Sequence, residues 1–440
     1  MAALPCDVVE HIAFFVQDPS DFFSYLEVFA DVVGPSLGAL WSLSKTHLRH
    51  DLWPQLHVRT LDTPTVAAAF RLASSCFPIV HFHKGIDTEL VKLCLPLHAA
   101  MAWYDDHLTF QRRSSDTLVQ FPIANLTMRF QYRRTLTSSS LWTKLPLLTS
   151  LRSLTLCGLS CDAIRPLLCY VRDSQLTAFT LVECEGAMCS IDDVTRLTHW
   201  LTHAPVTRLS LCGCHFAVDT VTMQKFLHAL FSSLTMRHIK TSFRLQGLSS
   251  LDLSIPAQLT TLELLNARLD DLSMQRFSNS LRYSQVSLLD MSGSVFTPAM
   301  MESLANCLPH TKIKTLRLCH VNLTAGGSSV LSKVLPITQI RKLTLTSNRL
   351  TDKNAIDLAC AVQLAVDLRE LDLCDNAIGT EGAIALVEAI CKRSAPMTRL
   401  NLSWNKVSSS QIQTHLMPFP WALKACQVLF NSWSKHELPE

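Results

Sequence analysis

From residue 151 onward, apolar and polar residues alternate in a short phrase that recurs to the end of the chain. In the clearest copy the apolar residues at positions 1, 4, 6 and 11 and the asparagine at position 9 are Leu368, Leu371, Leu373, Ile378 and Asn376. The phrase begins at residues 151, 176, 206, 236, 259, 286, 313, 340, 368 and 397, so the spacing is 23 to 30 residues. Alternation over positions 3 to 7 predicts a short strand with one buried face.

The residues between two phrases are numerous enough to form a helix. Residues 381–391 place Ile384, Val387 and Ile390 on one face at helical spacing. Each repeat is therefore predicted to contain a strand, a turn and a helix. The pattern resembles leucine-rich repeats of the ribonuclease-inhibitor-like class. That resemblance implies an α/β horseshoe solenoid, with a parallel sheet on the concave side and helices on the convex side.

A single repeat cannot bury its own apolar face, so the repeats must stack, and stacked repeats generally present a binding surface. The sequence predicts regular repeats over residues 151–413 and a carboxy-terminal cap over 414–440. Before residue 151 the phrase degrades, and short apolar pieces predict early, divergent repeats over 56–150. These pieces are Leu56–Val58, Ile79–Phe82, His107–Phe110 and Leu126–Phe130. The alternative is a loosely packed linker from about residue 60 to 145.

The first 55 residues differ from the repeats and predict a small helical module. Apolar residues follow an opening Leu-Pro at helical spacing, and Trp53 and Pro54 precede the first predicted strand. This opening resembles an F-box. The resemblance implies that a helical hairpin docks on a Skp-type adaptor, which links to a cullin. The matching positions are Leu4, Pro5, Val8, Val9, Ile12, Phe15 and Val16. The alternative is a plain helical cap on the first repeat.

Together, the two patterns resemble F-box leucine-rich-repeat proteins, including the expanded sets of oomycetes. The resemblance implies a substrate-recognition subunit of a cullin-type ubiquitin ligase, which holds a target protein and catalyses nothing itself. Two alternatives stay open. One is a leucine-rich-repeat scaffold, and the other is a Ran-GTPase-activator-like regulator without adaptor binding.

The strand pattern also predicts where a protein partner binds. With positions 4 and 6 in the core, positions 3, 5 and 7 face the concave surface. The charged candidates there are Lys240, Glu263, Asp290, Arg317, Lys342, Glu370, Asp372 and Arg399, and Trp404 at position 8 is the aromatic candidate. These charges either recognise a ligand or pair with one another across neighbouring strands.

Composition and motifs argue against several other classes of protein. The chain has 39 basic and 36 acidic residues, a balance that argues against nucleic acid as a partner. No apolar run reaches the roughly 18 residues of a membrane span, and the amino terminus lacks a basic secretory signal. We therefore expect a monomer in the cytoplasm, or alternatively the nucleus, and 16 reduced cysteines. No catalytic, metal or cofactor motif is present, which predicts a non-enzyme.

Overall fold

The computed structural model describes residues 5–95, 100–106, 119–130, 139–159, 161–184, 187–242, 255–256, 258–323, 325–407 and 426–430. The chain divides into two compact units, residues 1–187 and 188–440. Both units alternate strands and helices in chain order. The predicted α/β leucine-rich-repeat fold is confirmed.

The first unit begins with four helices. They are α1 Cys6–Ala13, α2 Pro19–Val28, α3 Pro35–Leu43 and α4 Arg49–Leu52. Asp18 starts α2 because its carboxylate accepts the backbone N–H groups of Ser20 and Asp21 at 2.8 and 3.0 Å. The side chains of Val9, Phe22 and Leu26 are fully buried between these helices. The N-terminal module therefore has an apolar core of its own.

A parallel sheet of repeats follows the module in the first unit. Its strands pair in chain order as β1 Leu56–Val58, β2 Ile79–Phe82, β3 Ala100–Asp106, β4 Ile123–Arg129, β5 Ser153–Cys157 and β6 Ala178–Val182. The helices between them are α5 Pro64–Ser74, α6 Thr88–Cys94, α7 Ser139–Lys144 and α8 Cys161–Asp173, with a short 3-10 helix at Leu145–Leu147. Within the described part of residues 56–129, strands β1 to β4 pair in parallel with their neighbours.

The early strands match the sequence prediction at three of four places. The strands expected at Leu56–Val58 and Ile79–Phe82 have those bounds, and the strand expected at Leu126–Phe130 lies within three residues of its predicted start. The third strand is instead β3, which precedes the expected segment; residues 107–110 lie outside the described residues. Met101 and Trp103 occupy the buried positions of β3, so no leucine marked it.

The second unit contains the regular repeats. In its described residues one parallel sheet runs through β8 Arg208–Leu211, β10 His238–Thr241, β11 Thr261–Leu264, β12 Leu288–Asp290, β13 Thr315–Arg317, β14 Lys342–Thr344, β15 Glu370–Asp372, β16 Arg399–Asn401 and β17 Gln427–Leu429. Two further strands, β7 Ala187–Cys189 and β9 Cys214–Phe216, pair with each other. The predicted cap over residues 414–440 falls largely on residues 414–425 and 431–440, outside the described residues.

Helices connect successive strands of the second unit. They are α9 Ile191–His203, α10 Thr220–Ser232, α11 Asp271–Leu281, α12 Pro298–Cys307, α13 Ala325–Val334, α14 Asp352–Leu364 and α15 Thr380–Cys391, with 3-10 helices at Leu308–His310 and Leu335–Ile337. Several begin at a polar cap, and the Asp219 and Asp270 carboxylates each accept a backbone N–H at 2.7 Å.

Positions 4 and 6 of the phrase form the core of the second unit. Every one of these side chains is 3% exposed or less: Leu209, Leu211, Leu262, Leu264, Leu289, Met291, Leu316, Leu318, Leu343, Leu345, Leu371, Leu373, Leu400 and Leu402. Burying one such side chain stabilises the fold by roughly 1.5–3 kcal/mol. The alternating pattern therefore fixes which sheet face is open, because positions 3 and 5 lie on the other side.

Position 9 links neighbouring repeats through an asparagine ladder, formed by Asn348, Asn376 and Asn405. The amide of Asn376 donates to the carbonyl groups of Leu345 and Leu373 at 3.1 and 2.9 Å. Its carbonyl accepts the backbone N–H groups of Asn348 and Leu350 at 2.9 and 3.0 Å. One side chain thus satisfies backbone groups of two repeats that would otherwise be buried without partners.

Position 8 takes the left-handed backbone conformation in every phrase copy whose position 8 is described. Three copies have glycine there, and six have a side chain: Glu183, Asn266, His320, Ser347, Asp375 and Trp404, with φ between 53° and 59°. A non-glycine residue in this region costs roughly 1–2 kcal/mol. The turn keeps it because the N–H of position 8 bonds to the next repeat, as from Ser347 to the Cys374 carbonyl at 3.0 Å.

Candidate functional site

Helix α1 and the turn that follows it expose an apolar stripe, which consists of Val8 and Ile12 on the helix and Phe15 two residues after its end. These side chains are 38%, 42% and 74% exposed. Their spacing of four and three residues places them on one helical face. Val9 and Ala13 lie on the opposite face and are fully buried. The helix is therefore apolar on both sides, although only one side packs within the module.

Three hydrogen bonds hold α1 and the residues after it. The Tyr25 hydroxyl donates to the Val9 carbonyl at 3.1 Å, and the Glu10 carboxylate accepts the Gly34 N–H at 3.0 Å. The indole N–H of Trp53 donates to the Val16 carbonyl at 2.6 Å. These bonds come from three separate segments, so the orientation of the apolar stripe is fixed by the module as a whole.

The other residues matched to the F-box pattern have different environments. Leu4 lies outside the described residues. Pro5 is exposed and precedes the first turn of α1. Val9 points into the module core, because it lies opposite the stripe, and Val16 is half-buried. Three exposed apolar side chains in the described part of the module were missed by the sequence pattern: Phe14, Val28 and Leu48.

The open sheet face of the second unit carries the predicted charged residues, and most of them pair across neighbouring strands. Lys240 Nζ lies 2.7 Å from Glu263 Oε2, and Lys342 Nζ lies 2.5 Å from Glu370 Oε2. Arg317 and Asp290 are 3.7 Å apart. Burial by itself lowers the pKa of Lys240, but the bond and charge of Glu263 outweigh it, so this pKa is raised.

The last predicted residues of this face behave differently from the ion pairs. Asp372 accepts the Asn401 side-chain amide at 3.1 Å and a backbone N–H from Cys374 at 3.0 Å. Arg399 has a buried Nε with no hydrogen-bond partner among the described residues. Trp404 is half-buried at the left-handed position 8, whereas the sequence predicted an exposed anchor. Its ring is therefore only partly available to a ligand.

The first unit holds a ring cluster that the sequence did not indicate. It consists of His57, His81, His83 and Tyr104, on and beside strands β1 to β3. His57 Nδ1 lies 3.0 Å from His83 Nε2, and His81 Nδ1 lies 3.0 Å from the Tyr104 hydroxyl. The His83 and Tyr104 rings stack with centroids 4.8 Å apart. Burial, followed by the neighbouring charges, lowers the pKa of both His81 and His83 to about 4.

The ring cluster makes the stability of the first unit depend on pH. The pKa of His81 and His83 is about 4 in the folded chain and 6.5 in the unfolded chain, so the unfolded chain binds protons first as pH falls. Their contribution is complete above pH 6.5 and is lost as pH falls toward 4. Lowering the pH from 7 to 5 is expected to reduce the free energy of unfolding of both the parent chain and a His81→Gln/His83→Gln variant. The reduction should be about 1 kcal/mol smaller in the variant, after allowance for solvent screening. Urea unfolding at both pH values measures this difference, and equal losses would contradict it.

Metal sites, disulfide bonds and membrane-spanning helices are absent from the described residues. No group of three histidine, cysteine, aspartate or glutamate side chains there is arranged to hold a metal ion. The cysteines whose side chains are described are free thiols. Within the same residues, none of the helices combines the length and the apolar character that crossing a membrane requires.

The repeat geometry agrees with the family model that the sequence matches. A family model described as "Leucine Rich repeat" matches residues 367–387, which contain β15 and the start of α15. The chain has the leucine-rich-repeat fold. No curated protein matches this leucine-rich-repeat chain.

Three solved structures resemble the leucine-rich-repeat chain at low identity. The yeast Rad7 and Elc1 complex contains a chain 14% identical, with 97% of this chain and 91% of that chain covered and a TM-score of 0.45. A leucine-rich-repeat protein of Leptospira interrogans is 13% identical, with 87% and 98% covered and a TM-score of 0.34. An internalin of Listeria monocytogenes is also 13% identical, with 74% and 90% covered and a TM-score of 0.37. Likenesses this distant carry no functional argument.

Proposed function

We propose that this leucine-rich-repeat protein is the substrate-recognition subunit of a cullin-type ubiquitin ligase. In this proposal the apolar stripe of α1 binds a Skp-type adaptor, and the repeats hold the target protein. The chain brings two proteins together and carries out no reaction itself. The observation that carries the proposal is the exposed apolar stripe, located in the segment whose sequence resembles an F-box.

The stripe has the geometry of a helix-docking surface. Val8, Ile12 and Phe15 are exposed at spacings used by helices that bind in or against an apolar groove. Full burial of an exposed side chain of this size contributes roughly 1.5–3 kcal/mol, so Phe15 would contribute most, and Val8 and Ile12 less because they are already more than half buried. The bonds from Tyr25, Glu10 and Trp53 hold the helix in place before a partner arrives. A prearranged surface loses less conformational entropy on binding.

The sheet face supports the second half of the proposal. Its ion pairs place opposite charges next to each other along β10 to β15, which suits a protein surface of mixed charge. In the Lys342–Glu370 pair both side chains are more than a third exposed, and such a pair contributes only about 0–1 kcal/mol to folding. We assign this face to the target protein because its basic members stay accessible beside their acidic partners.

The test is adaptor binding by the purified full chain and an Ile12→Asp/Phe15→Asp variant. Both substitutions place a carboxylate on the exposed stripe and leave the buried face of α1 unchanged. We expect the affinity for a purified Skp-type adaptor to fall by at least about 100-fold, since two apolar contacts are lost and two charges are desolvated. Isothermal titration calorimetry measures this loss.

A matched control introduces the same number of charges on exposed apolar residues elsewhere. Leu234 and Ile337 are 81% and 68% exposed and lie in the second unit, so Leu234→Asp/Ile337→Asp is the control variant. It is expected to bind the adaptor as the parent does. Absence of binding by the parent chain would reduce the N-terminal module to a cap on the repeats. A scaffold, or a Ran-GTPase-activator-like regulator, would then be the remaining interpretation.

A further inference from the structure

The second unit contains a basic groove at the edge of the sheet where its strands begin. The cavity has a volume of about 560 Å³ and is lined by Arg237, Gln258, Thr260, Gln285, Ser287, Lys312, Lys314 and Gln339. These residues occupy position 2 of the phrase or the position just before position 1. The lining contains three cations and three primary amides, and it contains no carboxylate.

The cations of the groove are available to a ligand. Arg237, Lys312 and Lys314 are exposed, and none of them forms an ion pair with any described residue. Lys312 Nζ donates to the Gln285 side-chain oxygen at 2.7 Å, so the amide N–H groups of Gln285 take no part in that bond. The hydroxyl groups of Thr260 and Ser287 donate to backbone carbonyl groups of the preceding repeats at 3.1 and 3.2 Å. The two hydroxyls are therefore already bonded, which leaves Arg237, Lys314, the amides and the remaining N–H groups of Lys312 to donate to a ligand.

The pKa of a neighbouring histidine reflects the positive charge at this edge of the sheet. His238 follows Arg237 directly and is half-buried on β10. Burial lowers the pKa of His238 most, and the charges of Arg208 and Arg237 lower it further. The Glu263 carboxylate, which is paired with Lys240 on the sheet face, acts on the pKa of His238 in the opposite direction, but the lowering effects prevail.

The shape of the groove favours an elongated ligand. Its lining comes from five successive repeats, whose strands β10 to β14 are neighbours in the parallel sheet. At about 4.8 Å between strands, four steps span roughly 19 Å, which is the length of about six residues of extended polypeptide. The amides of Gln258, Gln285 and Gln339 can both donate to and accept from a peptide backbone. The lining has no aromatic side chain on which nucleic-acid bases could stack.

We propose that the basic groove binds an extended, anionic peptide segment of a partner protein, whose carboxylate or phosphate groups contact Arg237, Lys312 and Lys314. This goes beyond the adaptor proposal, because the groove lies in the second unit and needs neither adaptor nor cullin. Exposed cations of this type bind oxyanions weakly one at a time, so the site depends on several contacts along one segment.

The test is fluorescence anisotropy with the full chain and four labelled probes. Three are ten-residue Gly/Ser peptides that carry three phosphoserines, three glutamates in their place, or neither; the fourth is a ten-nucleotide single-stranded RNA. We expect at least one anionic peptide to bind about 10-fold or more tightly than the neutral peptide, and to bind more weakly as salt rises. Preference for phosphoserine or for glutamate then identifies the source of the anion.

Two variants separate the groove from overall charge. Arg237→Gln/Lys312→Gln/Lys314→Gln is expected to weaken binding of the anionic peptide by about 10-fold or more. Lys225→Gln/Lys333→Gln/Lys353→Gln removes three exposed cations from helices of the same unit and is expected to bind within about 2-fold of the parent. Equal losses in the two variants, tighter binding of RNA than of either anionic peptide, or no binding of any peptide would each overturn the proposal.

Discussion

Replacing Asn376 with alanine is expected to lower the free energy of unfolding by about 3–4 kcal/mol. The substitution removes an amide that donates to the carbonyl groups of Leu345 and Leu373 and accepts N–H groups from Asn348 and Leu350. Alanine replaces none of these four bonds, so two carbonyl and two N–H groups lose their protein partner at a half-buried position. Urea unfolding followed by circular dichroism measures the loss.

The control for Asn376 is an asparagine outside the ladder. Asn306 is exposed near the end of α12, and Asn306→Ala is expected to change the free energy of unfolding by about 0.5 kcal/mol or less. If Asn376→Ala also changed it by less than about 1 kcal/mol, the ladder would not be a main connection between repeats.

The second large effect is expected at Trp53, the residue that joins α1, α2 and the first repeats. Its ring stacks on Phe22 with centroids 3.9 Å apart and an interplanar angle of 2°, and lies 5.8 Å from Phe77. Its indole N–H also bonds to the Val16 carbonyl. Trp53→Ala is expected to destabilise the first unit by about 4–5 kcal/mol, because it leaves a large cavity and an unsatisfied carbonyl.

The Trp53 variant also tests whether the module orients the apolar stripe. Hydrogen exchange should rise across α1 and α2 in Trp53→Ala, and adaptor binding should weaken although Val8, Ile12 and Phe15 are unchanged. Trp53→Phe keeps an aromatic ring against Phe22 and loses only the N–H, so about 1–2 kcal/mol is expected. Unchanged exchange in Trp53→Ala would show that α1 is held by other contacts.

The regular repeats could be predicted because each residue of the phrase has a local physical role. Leu343 and Leu345 have to point the same way on a strand, and asparagine at position 9 has the donor and acceptor groups that the turn requires. The conformation of position 8 could not be predicted, because residues as different as His320 and Trp404 adopt it. Glycine would have signalled it, as Gly293 does, where a Cβ would lie 2.2 Å from the Asn266 side chain.

Candidate sites were predictable only where neighbouring residues in the sequence share one element. The apolar stripe was visible because Val8, Ile12 and Phe15 recur at helical spacing within eight consecutive residues. The ring cluster was not, because His57, His81 and Tyr104 come from three strands and meet only once the register is known. The basic groove combines residues on either side of position 1 in five repeats, and a count of glutamines and cations at those two positions would have indicated it.

The paired charges of the sheet face set a condition on whatever binds there. Lys240, Glu263, Lys342 and Glu370 already have partners within the chain. A ligand that covers them must supply opposite charges at matching places, or it leaves a desolvated ion without compensation. Each correctly matched contact therefore adds little binding free energy, whereas each mismatched contact costs much. The face selects its partner mainly by rejecting proteins whose charges do not match, and we expect even the correct complex to dissociate quickly.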